Sequence, residues 1–194
     1  MNYNINYSKR QTISLRIIDE NTIKVSAPIG VSKDRVNAFI NSKQKWIDSK
    51  VNQIISSKNR FKDVIYGNKI VIFNNFYEIN EGKTKYLTKL AEKYLPERVK
   101  TLSNLYNFNF NSVKVKNYKS KWGQCDRQGN ITLNIKLMML SKETIDYVII
   151  HELCHTLYLN HQKSFHNKLA SFYKNEKPYQ KELKEYSVLL KYKI

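Results

Sequence analysis

The segment "IDYVIIHELCHTLYLNH", residues 145 to 161, constrains this chain more than any other stretch. Its first half is too apolar for a surface helix, so it must be enclosed by other elements. Its second half carries His151, Glu152 and His155, with His161 shortly after. An α-helix advances about 100° per residue, so two histidines four apart stand one above the other on a single face. A glutamate and two imidazoles at the end of a buried helix are costly unless solvated or coordinated. All 4 histidines of the chain lie between positions 151 and 166, which favours coordination.

Catalytic zinc uses three protein ligands, an open position for water and a carboxylate that takes the water's proton, and the HExxH spacing supplies two of the ligands and the base. His161 is the nearest candidate for the third ligand. His166 is an alternative, although its place on a following helix suits surface or outer contact better. Cys154 and Cys125 are softer candidates. A cysteine inside an apolar helix more often serves as a small buried hydrophobe, and the two show no CxxC spacing. Ligand type favours Zn2+, but affinity order alone does not fix the metal.

The rest of the chain reads as α+β. Residues 11–18 and 22–28 alternate around "DEN" and predict a hairpin with Ile13, Leu15 and Ile17 on one face. Ser32 is a suitable N-cap for a helix over 33–56, with Val36, Phe39, Ile40, Ile47, Val51, Ile54 and Ile55 as its buried stripe. Residues 63–80 carry Gly67-Asn68 and Asn74-Asn75 turn signals and predict a meander that completes an amino-terminal β-rich part, 1–80. A helical pattern follows from Lys83 to about Phe108, to be kinked or restarted at Pro96. A strand at 112–118 and a hairpin over 121–134 precede the helix of "KETIDYVIIHELCHTLYL", capped by Ser141. Asn160 is a suitable left-handed terminator for it. Two final helices are expected at 162–174 and 179–191, separated near Pro178. Residues 81–194 then form the catalytic part, most simply continuous with 1–80 in one domain.

The net charge of +18 favours polyanionic partners, so nucleic acid or a nucleotide is a possible partner through the basic surface. Lysine greatly outnumbers arginine, however, and specific phosphate recognition favours arginine. Asn, Ile and Tyr are also abundant and share A/T-rich codons with Lys, so genome composition is a competing cause. A hydrophobic fraction of 41% excludes a disordered chain. No signal-like or membrane-spanning run is present, and the 2 cysteines give no disulfide framework, so a cytoplasmic protein is expected.

Several motifs together resemble the YgjP-like metallopeptidase domain, a family related to the WLM and SprT-like zinc proteases. They are "SKWGQC" at 120–125, "GNITLN" at 129–134, "IDYVIIHELCH" at 145–155 and "NHQKSF" at 160–165, with "VSAPIGV" and "FINSKQKWI" earlier. The resemblance implies a zincin-like catalytic part with zinc ligands at His151, His155 and His161, and Glu152 as general base. Gln124 departs from the usual Ser, and His166 follows Phe165 where Trp is usual. The hairpin at 121–134 is a candidate to hold an extended substrate. Trp122 could line the cleft but suits the core better, and Tyr179 could donate to an oxyanion but suits helix packing better.

The expectation is a zinc-dependent peptidase acting on a peptide or protein. Two other functions fit the same residues: a metal-dependent hydrolase of nucleotide phosphoanhydrides, and a zinc-stabilised nucleic-acid-binding module.

Overall fold

A computed structural model describes residues 2–80 and 82–192. Seven α-helices and three small sheets are present among the described residues, in a mixed α and β chain. The chain divides into two compact units, Met1–Arg60 and Phe61–Ile194.

The first unit is a three-stranded sheet with two helices. Strands β2 (Ser14–Ile17) and β3 (Thr22–Pro28) form the expected antiparallel hairpin. Asp19 closes its turn by accepting the Asn21 amide at 2.9 Å. Strand β1 (Asn2–Ser8), which the sequence pattern did not reveal, pairs in parallel with the other side of β3. The single helix expected over 33–56 is two, α1 (Lys33–Ser42) and α2 (Gln44–Arg60), parted at Lys43. Ser32 caps α1 through the Arg35 amide. Val36, Ile40, Ile47 and Val51 are buried with Ile23, Val25 and Ala27, whereas Ile55 is exposed.

The second unit starts earlier than the expected 81–194 part. The stretch expected as its preceding meander opens instead with helix α3 (Lys62–Ile65), followed by β4 (Lys69–Ile72) and β5 (Asn75–Glu78). Phe73 and Asn74 make the tight turn with positive φ. Their amides donate to the carbonyls of Met138 and Met139 at 2.8 and 3.1 Å, which ties this hairpin to the second unit. The side chains of Asn74 and Tyr186 are also hydrogen-bonded.

Helix α4 (Lys83–Tyr106) runs without a break through Pro96, so the expected second start is absent. Leu87, Ala91, Leu95, Val99 and Leu102 form its buried stripe. The third sheet has the order β6-β8-β7, with β6 (Ser112–Lys116) parallel to β8 (Asn130–Asn134) and β7 (Gly123–Cys125) antiparallel to it. Gly129 allows the β7–β8 turn with φ +77°. A short 3-10 segment, Ile135–Met139, then leads to α5 (Lys142–His155).

Helix α5 is the centre of the second core. From Thr144 to Cys154, every residue except Asp146 and His151 is buried. Helices α6 (Lys163–Phe172) and α7 (Lys177–Leu190) complete the unit. Pro178 lies in the first turn of α7, where a missing amide costs nothing, rather than between the helices.

Candidate metal centre

Helix α5 is fixed at its start by polar contacts and along its length by burial. Ser141 caps it by accepting the Thr144 amide at 3.3 Å. Glu182 of α7 accepts in turn from the Ser141 amide at 2.8 Å and from the Ser141 hydroxyl at 2.6 Å. The helix ends at His155, before the expected "TLYL" continuation. The turn is closed by amides of Thr156, Leu157 and Tyr158 donating to Leu153 and Cys154 carbonyls. Asn160 does not take the left-handed conformation expected of it.

This early exit returns the chain over the exposed end of α5. The Nε2 atom of His161 lies 3.1 Å from Nε2 of His151 and 3.1 Å from Nε2 of His155. One potential ligand atom from each of the three residues lies within 4.8 Å of the others. Burial, reinforced by the neighbouring imidazoles, lowers the pKa of His151 to about 3, and burial also lowers that of His155. Neutral rings have a free nitrogen lone pair to donate. At His155 the Tyr158 carbonyl lies 2.9 Å from Nδ1, which places the ring proton there and leaves Nε2 as the donor atom.

The donor set fits a zinc ion. Zn–N bonds of about 2.0–2.1 Å in tetrahedral geometry separate neighbouring nitrogens by roughly 3.3 Å. Nε2 of His161 approaches the other two Nε2 atoms at 3.1 Å each, an approach that is unfavourable unless a proton or cation lies among them.

Phe165, on the first turns of α6, forms the apolar wall of the cluster. It is fully buried, and its ring centroid lies 4.9, 4.5 and 4.7 Å from those of His151, His155 and His161. Sequence reasoning placed Phe165 in a motif without giving it this role. Its signal was the buried-helix spacing to Leu169, which turns it inward.

Glu152 is 6% exposed and faces β7. Burial raises its pKa to about 8, with Lys121 opposing the shift. A carboxyl group in such surroundings is far more basic than one in water.

The remaining candidates fall outside the ligand cluster. His166 is exposed, with its ring centroid 6.3 Å from that of His161. Cys154 is fully buried and its thiol pKa is pushed up to about 12 by burial, in keeping with a packing role. Cys125 is partly buried, donates weakly to the Asp126 carbonyl, and has a pKa raised to about 11 by burial. Trp122 is partly buried and packs against the main core. Tyr179 stacks on Tyr147 with centroids 5.1 Å apart and an interplanar angle of 13°. Tyr147 donates to Glu176 at 2.6 Å, and its ring lies 6.4 Å from that of His151.

No helix among the described residues is long and apolar enough to cross a membrane. No curated protein matches the sequence. Two solved structures resemble half of it. One is the metallopeptidase zymogen of Pyrococcus abyssi abylysin, at 20% identity and TM-score 0.42, covering 50% of this chain and 97% of that one. The other is the metallopeptidase zymogen of Methanocaldococcus jannaschii jannalysin, at 24% identity and TM-score 0.42, covering 50% of this chain and 98% of that one. The family described as YgjP-like, metallopeptidase domain, matches residues 11–85 and 80–186. With matches over most of its length, the chain belongs to the YgjP-like metallopeptidase domain family.

Proposed function

We propose that this chain is a zinc-dependent peptidase in which His151, His155 and His161 hold the metal and Glu152 is the general base. The convergence of the three Nε2 atoms carries the proposal. On this reading the part of the chain around α5 is zincin-like, and α5 is its active-site helix. The substrate class, a peptide or protein, follows from the family.

A zinc ion held by three imidazoles supplies Lewis acidity and makes a water acidic enough to lose a proton near neutral pH. The protein's own groups do the rest. Burial keeps His151 and His155 unprotonated, and the Tyr158 carbonyl holds the His155 ring in the tautomer whose Nε2 can donate. Glu152, made basic by its enclosure, accepts the proton of the attacking water and returns it to the departing amine.

The test compares wild type and Glu152→Gln, both loaded with zinc, on quenched fluorescent peptides and on nucleoside triphosphates. Peptide cleavage by the wild type is expected, with retained metal and a fall in turnover of roughly 10²–10⁴-fold in the variant. Equal turnover by the variant removes Glu152 from the base role. Triphosphate hydrolysis without peptide cleavage overturns the substrate class.

A further inference from the structure

Gly123 occupies a position where glycine is unfavourable on backbone grounds. It opens the three-residue strand β7, pairs with Leu133 of β8, and is not among the glycines with positive φ. A strand position of ordinary conformation gains nothing from glycine and loses side-chain packing and backbone entropy. The reason for the missing side chain is therefore spatial.

A Cβ built on Gly123 would lie 2.6 Å from Glu152 Oε1, 2.9 Å from its Cγ and 3.0 Å from its Cδ. All three of these nearest atoms belong to one side chain, and none to backbone. The carboxylate of Glu152 thus fills the space that any other residue at 123 would claim. Because the clash falls on a side chain, an added methyl is relieved most easily by swinging Glu152 aside, which need not disturb the sheet. The fold can survive such a change, whereas the carboxylate's position cannot.

We propose that Gly123 is a positioning residue for Glu152: the bare backbone of β7 forms the seat that holds the carboxylate where it can exchange a proton with the attacking water. This rests on the reading of Glu152 as general base. A methyl at 123 has to reopen the gap to the 3.4 Å at which ordinary contact begins. Displacements of this size, near 1 Å, can cost on the order of 100-fold in rate.

The experiment pairs Gly123→Ala with a change that empties the seat. In the metal-free protein, Gly123→Ala is expected to lower Tm when Glu152 is present, and to leave it unchanged or raise it in the Glu152→Ala background. A crystal structure of metal-free Gly123→Ala should show the Glu152 carboxylate displaced and β7 in place. In zinc-loaded protein, kcat should fall on the order of 100-fold with metal content retained and KM within about twofold. If Gly123→Ala alone is insoluble, recovery of folded protein by the added Glu152→Ala supports the same contact.

An equal loss of Tm in both backgrounds overturns the proposal, as does an unmoved carboxylate with a shifted strand. Unchanged kcat in an active enzyme overturns it too, and metal loss in parallel with kcat assigns Gly123 to the metal shell instead. A wild type inert towards peptides would defeat the proposed function but leave the melting comparison and the crystal structure to judge the Gly123–Glu152 contact.

Discussion

His155 and Tyr158 are linked within a single turn: Nδ1 of the imidazole lies 2.9 Å from the carbonyl oxygen three residues on. The contact orients the second helix-borne histidine and also fixes the start of the loop that brings His161 back. His161 approaches both partners at 3.1 Å and is itself exposed. Replacing it by Ala should therefore leave the fold intact and, on the proposed reading, remove a metal ligand. Zinc affinity is expected to fall by more than the roughly 10–100-fold typical of outer-shell changes. Metal analysis after dialysis, alongside circular dichroism, checks this. Full zinc occupancy in the variant would remove His161 from the ligand set.

Phe165 should matter twice. Truncation to Ala deletes a fully buried aromatic ring and is expected to destabilise the metal-free protein by about 3–5 kcal/mol. It also removes the wall against which all three imidazoles rest, so zinc affinity should fall even where the protein remains folded. Urea denaturation and competitive zinc titration measure the two effects separately. Phe165→Leu should restore most of the stability and less of the affinity.

Lys136 offers a pH-dependent test away from the histidines. Its side chain is 2% exposed, and Nζ donates to the carbonyls of Leu189, Leu190 and Tyr192 at 2.9, 3.0 and 2.7 Å. Those carbonyls lie at and just beyond the end of α7 and would lack this donor in Lys136→Met, at a cost of about 1–3 kcal/mol. Burial lowers the pKa of Lys136 from 10.5 to about 8. Between those values the unfolded chain retains a proton that the native chain has released. The group's contribution to stability therefore rises with pH across that window, by at most about 1.4 kcal/mol per pH unit. The stability gap between wild type and Lys136→Met should widen from pH 8 to pH 10 in urea titrations. A constant gap would mean that the carbonyls hold the lysine charged throughout.

Arg98 of α4 grips Asp146 of α5 with two hydrogen bonds, Nε to Oδ1 at 2.7 Å and Nη2 to Oδ2 at 2.5 Å. The carboxylate beside it holds the guanidinium above its ordinary value. The two side chains are 35% and 19% exposed, so solvent screens the pair and Arg98→Ala should cost only about 1 kcal/mol. Arg98→Lys should recover only part of it, because an ammonium cannot reproduce the two-pronged contact. Thermal melts of the three proteins at low and high salt decide the matter.

The parts of this molecule legible from sequence are those governed by local signals. The β2–β3 and β7–β8 hairpins follow from alternation around turn residues, and the starts of α1 and α5 from Ser32 and Ser141. Three histidines were singled out from spacing and resemblance, and the structure brings them together. What escaped depends on distant partners. β1 has little apolar alternation and is recruited by parallel pairing with β3. The α1–α2 break at Lys43 has no glycine or proline to announce it. Pro96 is absorbed into α4, whose buried stripe continues on both sides of it, so packing outweighs the local penalty. The roles of Phe165 and Gly123 arise only when α6 and β7 close around α5.

The burial of α5 bears on how the protein ages. A segment enclosed on nearly every side exchanges its amide hydrogens through opening of the unit that encloses it rather than by local fraying. On the proposed reading, two of the three metal-binding imidazoles are thus carried by the enclosed helix of the second unit before any ion arrives. Chelation should therefore empty the protein without melting it, unlike a zinc finger, and the empty form should reload at once. Heating, by contrast, should abolish ion capture and tertiary structure in the same transition.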